Sequence, residues 1–93
     1  MTTHQLTTLN STSAVRLTPD GTHSGMDVTI QNVDASALVY IGGIGVTSSR
    51  YGYRLSPGAA WSVELSGRDA IYAISNTNGS QVAVLQTSLE LGN

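Results

Sequence analysis

The sequence predicts an all-β fold, a small antiparallel β-sandwich or open barrel of about seven to eight strands with an N-terminal arm. Residues 26–86 are built of short stretches rich in β-formers, several of which alternate apolar and polar side chains with the period of a half-buried strand. Turn-forming clusters interrupt them at Gly42-Gly43, Ser56-Pro57-Gly58 and Asn76-Thr77-Asn78-Gly79, a spacing of roughly ten residues that suits a sandwich. No segment carries the period of about 3.6 residues that an amphipathic helix requires.

Residues 5–9 and 14–17 are short strand candidates separated by Asn10-Ser11-Thr12-Ser13, where side-chain bonds to the backbone compete with continued pairing. They form a first hairpin or an extended arm. In Thr18-Pro19-Asp20-Gly21 proline presets φ and glycine accepts positive φ, so this turn divides the chain into an N-terminal arm or hairpin, residues 1–18, and a β-sandwich domain, residues 19–93. Residues 26–31 alternate strictly, turning Met26, Val28 and Ile30 to one face and Asp27, Thr29 and Gln31 to the other. The apolar run 37–41 suits a central strand covered on both faces, ended by Gly42-Gly43-Ile44-Gly45. After a short strand at 53–55, Pro57-Gly58 turns the chain into 60–65, with Trp61, Val63 and Leu65 inward and Trp61 at the centre of the core. Ser66-Gly67-Arg68-Asp69 turns into a strand at 70–74. Asn78-Gly79 favours the positive-φ geometry of a tight hairpin before a last strand at 81–89.

Composition narrows the function. The 93 residues fit one domain, and a chain this short buries only about 60–65% of its unfolded surface, so support from a partner or from identical copies is expected. There is no cysteine to form a disulfide or a thiolate metal site. The net charge is −2 with four arginines and no lysine, so no basic stripe exists to bind DNA or RNA. No apolar run reaches the roughly 18–20 residues of a membrane span, and the N-terminus lacks the pattern of a signal peptide; a soluble chain in a reducing compartment is expected. Charged residues are 11% of the chain against about 25% in ordinary domains. A surface of Ser, Thr, Asn, Gln and Gly suits packing against other proteins.

Nothing in the chain assembles into catalytic chemistry, so no enzyme activity and no cofactor are expected. Gly42-Gly43-Ile44-Gly45 is glycine-rich, but it lacks the following Lys with Ser or Thr and opens no helix to hold an anion. His4 and His23 are the only histidines, and Asp20 and Asp27 beside His23 make a sparse oxygen-rich set rather than a transition-metal site. The acids Asp20, Asp27, Asp34 and Asp69 lack calcium-loop spacing. No Gly-x-Ser-x-Gly elbow is present to activate a serine. Among the aromatics, Trp61 and Tyr72 read as core by alternation. Tyr51 and Tyr53, in a glycine-flanked loop beside Arg50 and Arg54, read equally as packing or as contact with a partner.

The strings Asp27-Val28-Thr29-Ile30-Gln31-Asn32-Val33, Leu38-Val39-Tyr40-Ile41-Gly42-Gly43, Gly45-Val46-Thr47 and Gly52-Tyr53-Arg54-Leu55-Ser56-Pro57-Gly58 closely resemble small β-sandwich proteins of tailed-bacteriophage virions. Trp61 to Leu65, Ala70-Ile71-Tyr72-Ala73-Ile74 and Val82-Ala83-Val84-Leu85 continue the resemblance, which covers roughly residues 13–90. It implies a head decoration or cement protein on the outer surface of the virion, made in the host cytoplasm. Such a protein bridges major capsid proteins and often forms a homotrimer. The expected partner contacts are Gln5, Leu6 and Leu9 of the arm, which would add strands to a neighbour's sheet, and Arg50, Tyr51, Tyr53 and Arg54 of the loop. The alternatives are a neck, tail or fibre-base component, or a virion-surface module gripping glycans through Tyr51 and Tyr53.

Overall fold

A computed structural model of the chain describes residues 2–18, 25–65 and 69–88. Among the described residues there are eight strands and no helix: β1 (Thr2–Thr8), β2 (Val15–Arg16), β3 (Met26–Asn32), β4 (Val39–Gly42), β5 (Tyr53–Leu55), β6 (Ala60–Leu65), β7 (Tyr72–Ser75) and β8 (Gln81–Ser88). They form two antiparallel four-stranded sheets, ordered β1-β8-β3-β6 and β2-β7-β4-β5. The turns 18–21 and 66–69, apart from Thr18 and Asp69, lie outside the described residues, as do Asp20, His23 and Leu89.

The inward faces meet in one apolar core. On β3 the alternation sends Met26, Val28 and Ile30 inward against Val39, Ile41 and Leu55 of the facing sheet, all of them buried. Each such side chain contributes about 1.5–3 kcal/mol by leaving water. Strand β4 is covered on both faces, as its apolar run predicts. Val39 and Ile41 enter the main core, while Tyr40 pairs with Ile74 on the outer face and packs with Val46 in a second cluster. The loop between β4 and β5 folds back over that face, held by the Gly52 amide donating to the Ile41 carbonyl at 2.8 Å.

Only β4 and β5 are both consecutive in the chain and neighbours in a sheet. The other short connections pass between sheets. Ser56 to Ala59 links β5 to β6 through a turn in which Pro57 takes the first central position and Gly58 the second, with φ of 81°. The Ala59 amide closes it on the Ser56 carbonyl at 2.9 Å. Asn76 to Gly79 also crosses between sheets rather than closing a hairpin. Gly79 has φ of 87°, and no described residue other than glycine has positive φ, so the Asn-Gly pair does not form the expected hairpin turn.

The N-terminal segment is neither a hairpin nor an arm separate from the sandwich. β1 pairs with β8 in one sheet and β2 with β7 in the other, and Leu9 and Leu17 are fully buried in the main core. The turn-forming cluster between them works as its composition predicts. Asn10 Oδ1 accepts from the amides of Thr12 and Ser13 at 3.0 and 2.7 Å, and the Ser11 amide donates to Asn78 Oδ1 at 2.8 Å.

Two further points depart from the pattern. Trp61 points inward but is only half-buried, because β6 is an edge strand. Its ring lies 5.8 Å from that of Tyr53 and closes the seam between β5 and β6. Asn32, by contrast, is completely buried at the inner end of β3. Its Nδ2 donates to the carbonyls of Ala37 at 2.8 Å and Leu55 at 3.1 Å, and its Oδ1 accepts from the Asp34 amide at 3.0 Å. One amide thereby ties the β3–β4 loop to the end of β5.

Candidate interaction surfaces

The loop between β4 and β5 departs from Gly42, where close approach is required. A Cβ on that residue would stand 3.1 Å from Val46 Cγ2 and 3.2 Å from Val46 Cβ. The Val46 amide donates to the Gly43 carbonyl, and Thr47 and Arg50 exchange backbone bonds of 2.8 and 3.2 Å. The resulting open depression of 660 Å³ is lined by Gly42, Gly43, Gly45, Val46, Arg50 and Tyr51 among others. No helix follows the glycines, so no helix N-terminus faces it.

The predicted contact residues of this loop separate onto different faces. Tyr51 packs its ring 4.8 Å from that of Tyr40, and Tyr40 lies directly across the ladder from Arg54. Tyr51 and Arg54 therefore share the outer face of the second sheet, and Arg50 lines the same depression as Tyr51. Tyr53 is opposite Ile41 and turns inward toward Trp61. Tyr51 and Tyr53 consequently present no common platform on which one sugar ring would stack. Ile44, outside the predicted contact set, stands in the loop between two glycines with 79% of its surface exposed. A large apolar residue between Gly43 and Gly45 was the available signal.

The predicted residues of β1 also divide. Leu9 is 1% exposed, and its backbone bonds Ser80 and Gly79 at 2.8 and 2.9 Å. It belongs to the chain's own core and offers nothing to a partner, because its side chain supplies the apolar burial that anchors the end of β1. Gln5 and Leu6 are exposed, Leu6 by 61%. Leu6 points away from the core with Leu85 and Ala83 of β8, beside an apolar depression of 300 Å³ also lined by His4, Thr29 and Gln31. β1 and β5 close opposite edges of their sheets. The Gln5–Leu6 surface and the loop surface therefore sit at opposite sides of the sandwich.

Among the described residues no three His, Asp or Glu side chains come together as a metal group, and no buried side-chain polar atom lacks a partner. Among the described residues Asp34 is the titratable group with a clear perturbation. The backbone amides of Ser36 and Ala37, bonded to its carboxylate at 2.9 and 3.0 Å, hold its pKa below the ordinary value. This is a loop-forming role. No family model matches the chain, and no curated protein matches it in sequence.

Proposed function

We propose that this protein is a structural component of a tailed-bacteriophage virion, a head decoration or cement protein that bridges neighbouring major capsid proteins on the outside of the shell. The observation that carries the reading is the pair of contact surfaces at opposite edges of one small sandwich. Leu6 with Gln5 stands at one edge, and Ile44 with Arg50, Tyr51 and Arg54 stands on the loop toward the other. A bridge needs two grips on a stiff body. The charge-poor, hydroxyl- and amide-rich surface between them favours packing against protein over free dispersion. The resemblance of the strand-and-turn strings brings in the phage head and the homotrimer.

The mechanism is thermodynamic linkage. A protein that binds the expanded shell better than its precursor stabilises the expanded shell by that difference in affinity, multiplied over many copies. The test is to mix the protein with expanded heads that lack it and to determine occupancy and symmetry by electron microscopy. Saturating density at three-fold positions, reduced at least about tenfold in affinity by Ile44→Asp through a charge placed in an apolar contact, is the expected result. Density confined to a portal or tail would reassign the protein to the neck or tail, and no binding would reject the cement reading in favour of the neck, tail or glycan-binding alternatives.

A further inference from the structure

The free edge of β1 is self-complementary. We propose that it pairs with β1 of a second copy, antiparallel about a two-fold axis through Gln5, joining two four-stranded sheets into one continuous eight-stranded sheet. This inference needs no virion, but it claims the same Gln5–Leu6 edge as the bridging proposal: in a two-fold dimer that edge joins the copies, and the two loop surfaces around Ile44, one on each copy, remain for the shell.

The first ground is which backbone groups are free. The Leu9 amide donates to the Ser80 carbonyl on β8, and on the other side of β8 the Gln81 carbonyl accepts from Val33 of the β3 end. In an antiparallel ladder such bonding alternates residue by residue. Thr7, Gln5 and Thr3 therefore turn their amides and carbonyls to β8, while Thr8, Leu6, His4 and Thr2 turn theirs to the open edge, where no other strand among the described residues pairs. An edge of this length is normally blunted by Lys, Pro or a bulge. β1 has none of these: it pairs without interruption and contains no charged Asp, Glu, Lys or Arg.

The second ground is the order of its residues. Thr2-Thr3-His4-Gln5-Leu6-Thr7-Thr8 reads nearly the same in both directions. Antiparallel pairing about Gln5 sets Thr2 against the partner's Thr8, Thr3 against the partner's Thr7, His4 against the partner's Leu6, and Gln5 against its own counterpart. This register matches the free groups. It pairs the outward-bonding residues Thr2, His4, Leu6 and Thr8 with one another, and it leaves Gln5 at a non-hydrogen-bonded position, where opposed Cα atoms stand about 4.5 Å apart. A shift by one residue would set bonding residues against non-bonding ones.

The third ground is the outer face. Leu6 lies diagonal to Leu85 of β8, with His4 beside Leu85 in the ladder. Across the two-fold axis the partner's Leu6 falls on the other side of His4. The exposed leucines of the two copies then make one apolar stripe over the junction, a cross-strand and diagonal arrangement that stabilises sheets. A second copy is favoured because one register about Gln5 matches the outward backbone groups of both strands and sets the exposed Leu6 of each copy beside the other.

The contact is at the small end of interface sizes, so association is expected at micromolar concentration or weaker. The first experiment is sedimentation of the full chain from a few micromolar to roughly millimolar, with a reversible monomer–dimer equilibrium expected in that range. The second uses the absence of native cysteine. Gln5→Cys should cross-link to itself under mild oxidation, since a non-hydrogen-bonded pair meets disulfide geometry, whereas Thr3→Cys, whose counterpart is Thr7, should not. The third is Leu6→Pro, which removes both an outward amide and the exposed leucine side chain at the junction and is tolerated at a sheet edge. It should weaken dimerisation at least about tenfold while leaving the far-ultraviolet spectrum and melting temperature unchanged. A monomer throughout the range, equal cross-linking at Gln5 and Thr3, or undiminished dimerisation of Leu6→Pro would each overturn the proposal. A monomer whose binding to heads is lost in Leu6→Pro would give the edge to a different chain.

Discussion

Replacing Asn32 with alanine should cost this domain a large part of its stability, and the size of the loss follows from three hydrogen bonds. Nδ2 serves the carbonyls of Ala37 and Leu55 at 2.8 and 3.1 Å, and Oδ1 serves the Asp34 amide at 3.0 Å. Ala37 and Leu55 are buried, so their carbonyls lose a partner that water does not replace. A buried group left unpaired costs about 1–3 kcal/mol. Carbonyls are the more tolerant case, and the Asp34 amide lies nearer solvent, so the sum comes to about 2–4 kcal/mol. A domain of this length has a total of about 5–14 kcal/mol, and each kcal/mol moves the melting temperature by about 4–8 °C. Asn32→Ala is therefore expected to melt roughly 8–30 °C lower by calorimetry or circular dichroism. Asn32→Asp separates the donor from the space it fills, since it keeps the volume and Oδ1 but sets an oxygen against two carbonyls. At pH 7 it should be worse than alanine. Burial raises the pKa of such an acid, so the folded state holds a proton that the unfolded state releases, and stability falls as pH rises through that window. Asn32→Asp should recover part of its loss on acidification. A shift below about 3 °C for alanine, or a pH-independent aspartate variant no worse than alanine, would refute the clamp.

Gly42→Ala should lose about 1–2 kcal/mol through overpacking against Val46 and raise hydrogen exchange in the 43–52 loop. Gly43→Ala, with nothing within 4 Å of the added Cβ, should stay within about 0.5 kcal/mol of the parent. Tyr53→Ala removes the ring 5.8 Å from Trp61. Because Trp61 is the single tryptophan, its fluorescence should shift red as the β5–β6 seam opens, with a loss of about 1 kcal/mol beyond the buried area. Asp34, whose pKa is lowered by the Ser36 and Ala37 amides, contributes stability that is present above its unfolded pKa of about 4 and is lost as pH falls through the lower folded value. Asp34→Asn keeps the Oδ1 acceptor, so the acid limb of a pH–stability profile should become shallower.

The strands were legible because their cause is local. The alternation of Met26, Val28 and Ile30 with Asp27, Thr29 and Gln31 specifies both an extended backbone and its inward face, whatever strand lies alongside. The same holds for β6, where Trp61, Val63 and Leu65 point inward, and for Asn10-Ser11-Thr12-Ser13, where the Asn10 side chain accepts from the amides two and three residues away. Turn chemistry at Pro57-Gly58 was equally readable, but not its destination, because the same backbone bend serves a hairpin or a crossing between sheets.

Partnership between strands is what the tertiary structure decided. β1 joins β8 from the far end of the chain, and that pairing carries Leu9 into the core instead of to a partner. Edge position left Trp61 half-covered and put Tyr53 beside it, while Tyr51, two residues earlier, went to the opposite face with Tyr40. Asn32 became buried only because Ala37 and Leu55 presented carbonyls to it. The sequence by itself determined about seven to eight strands and which side of most of them is apolar, since periodicity acts over neighbouring residues. Which strands lie at edges, and therefore which side chains remain available to another molecule, was settled by pairings across the whole chain, for which local pattern carries no code.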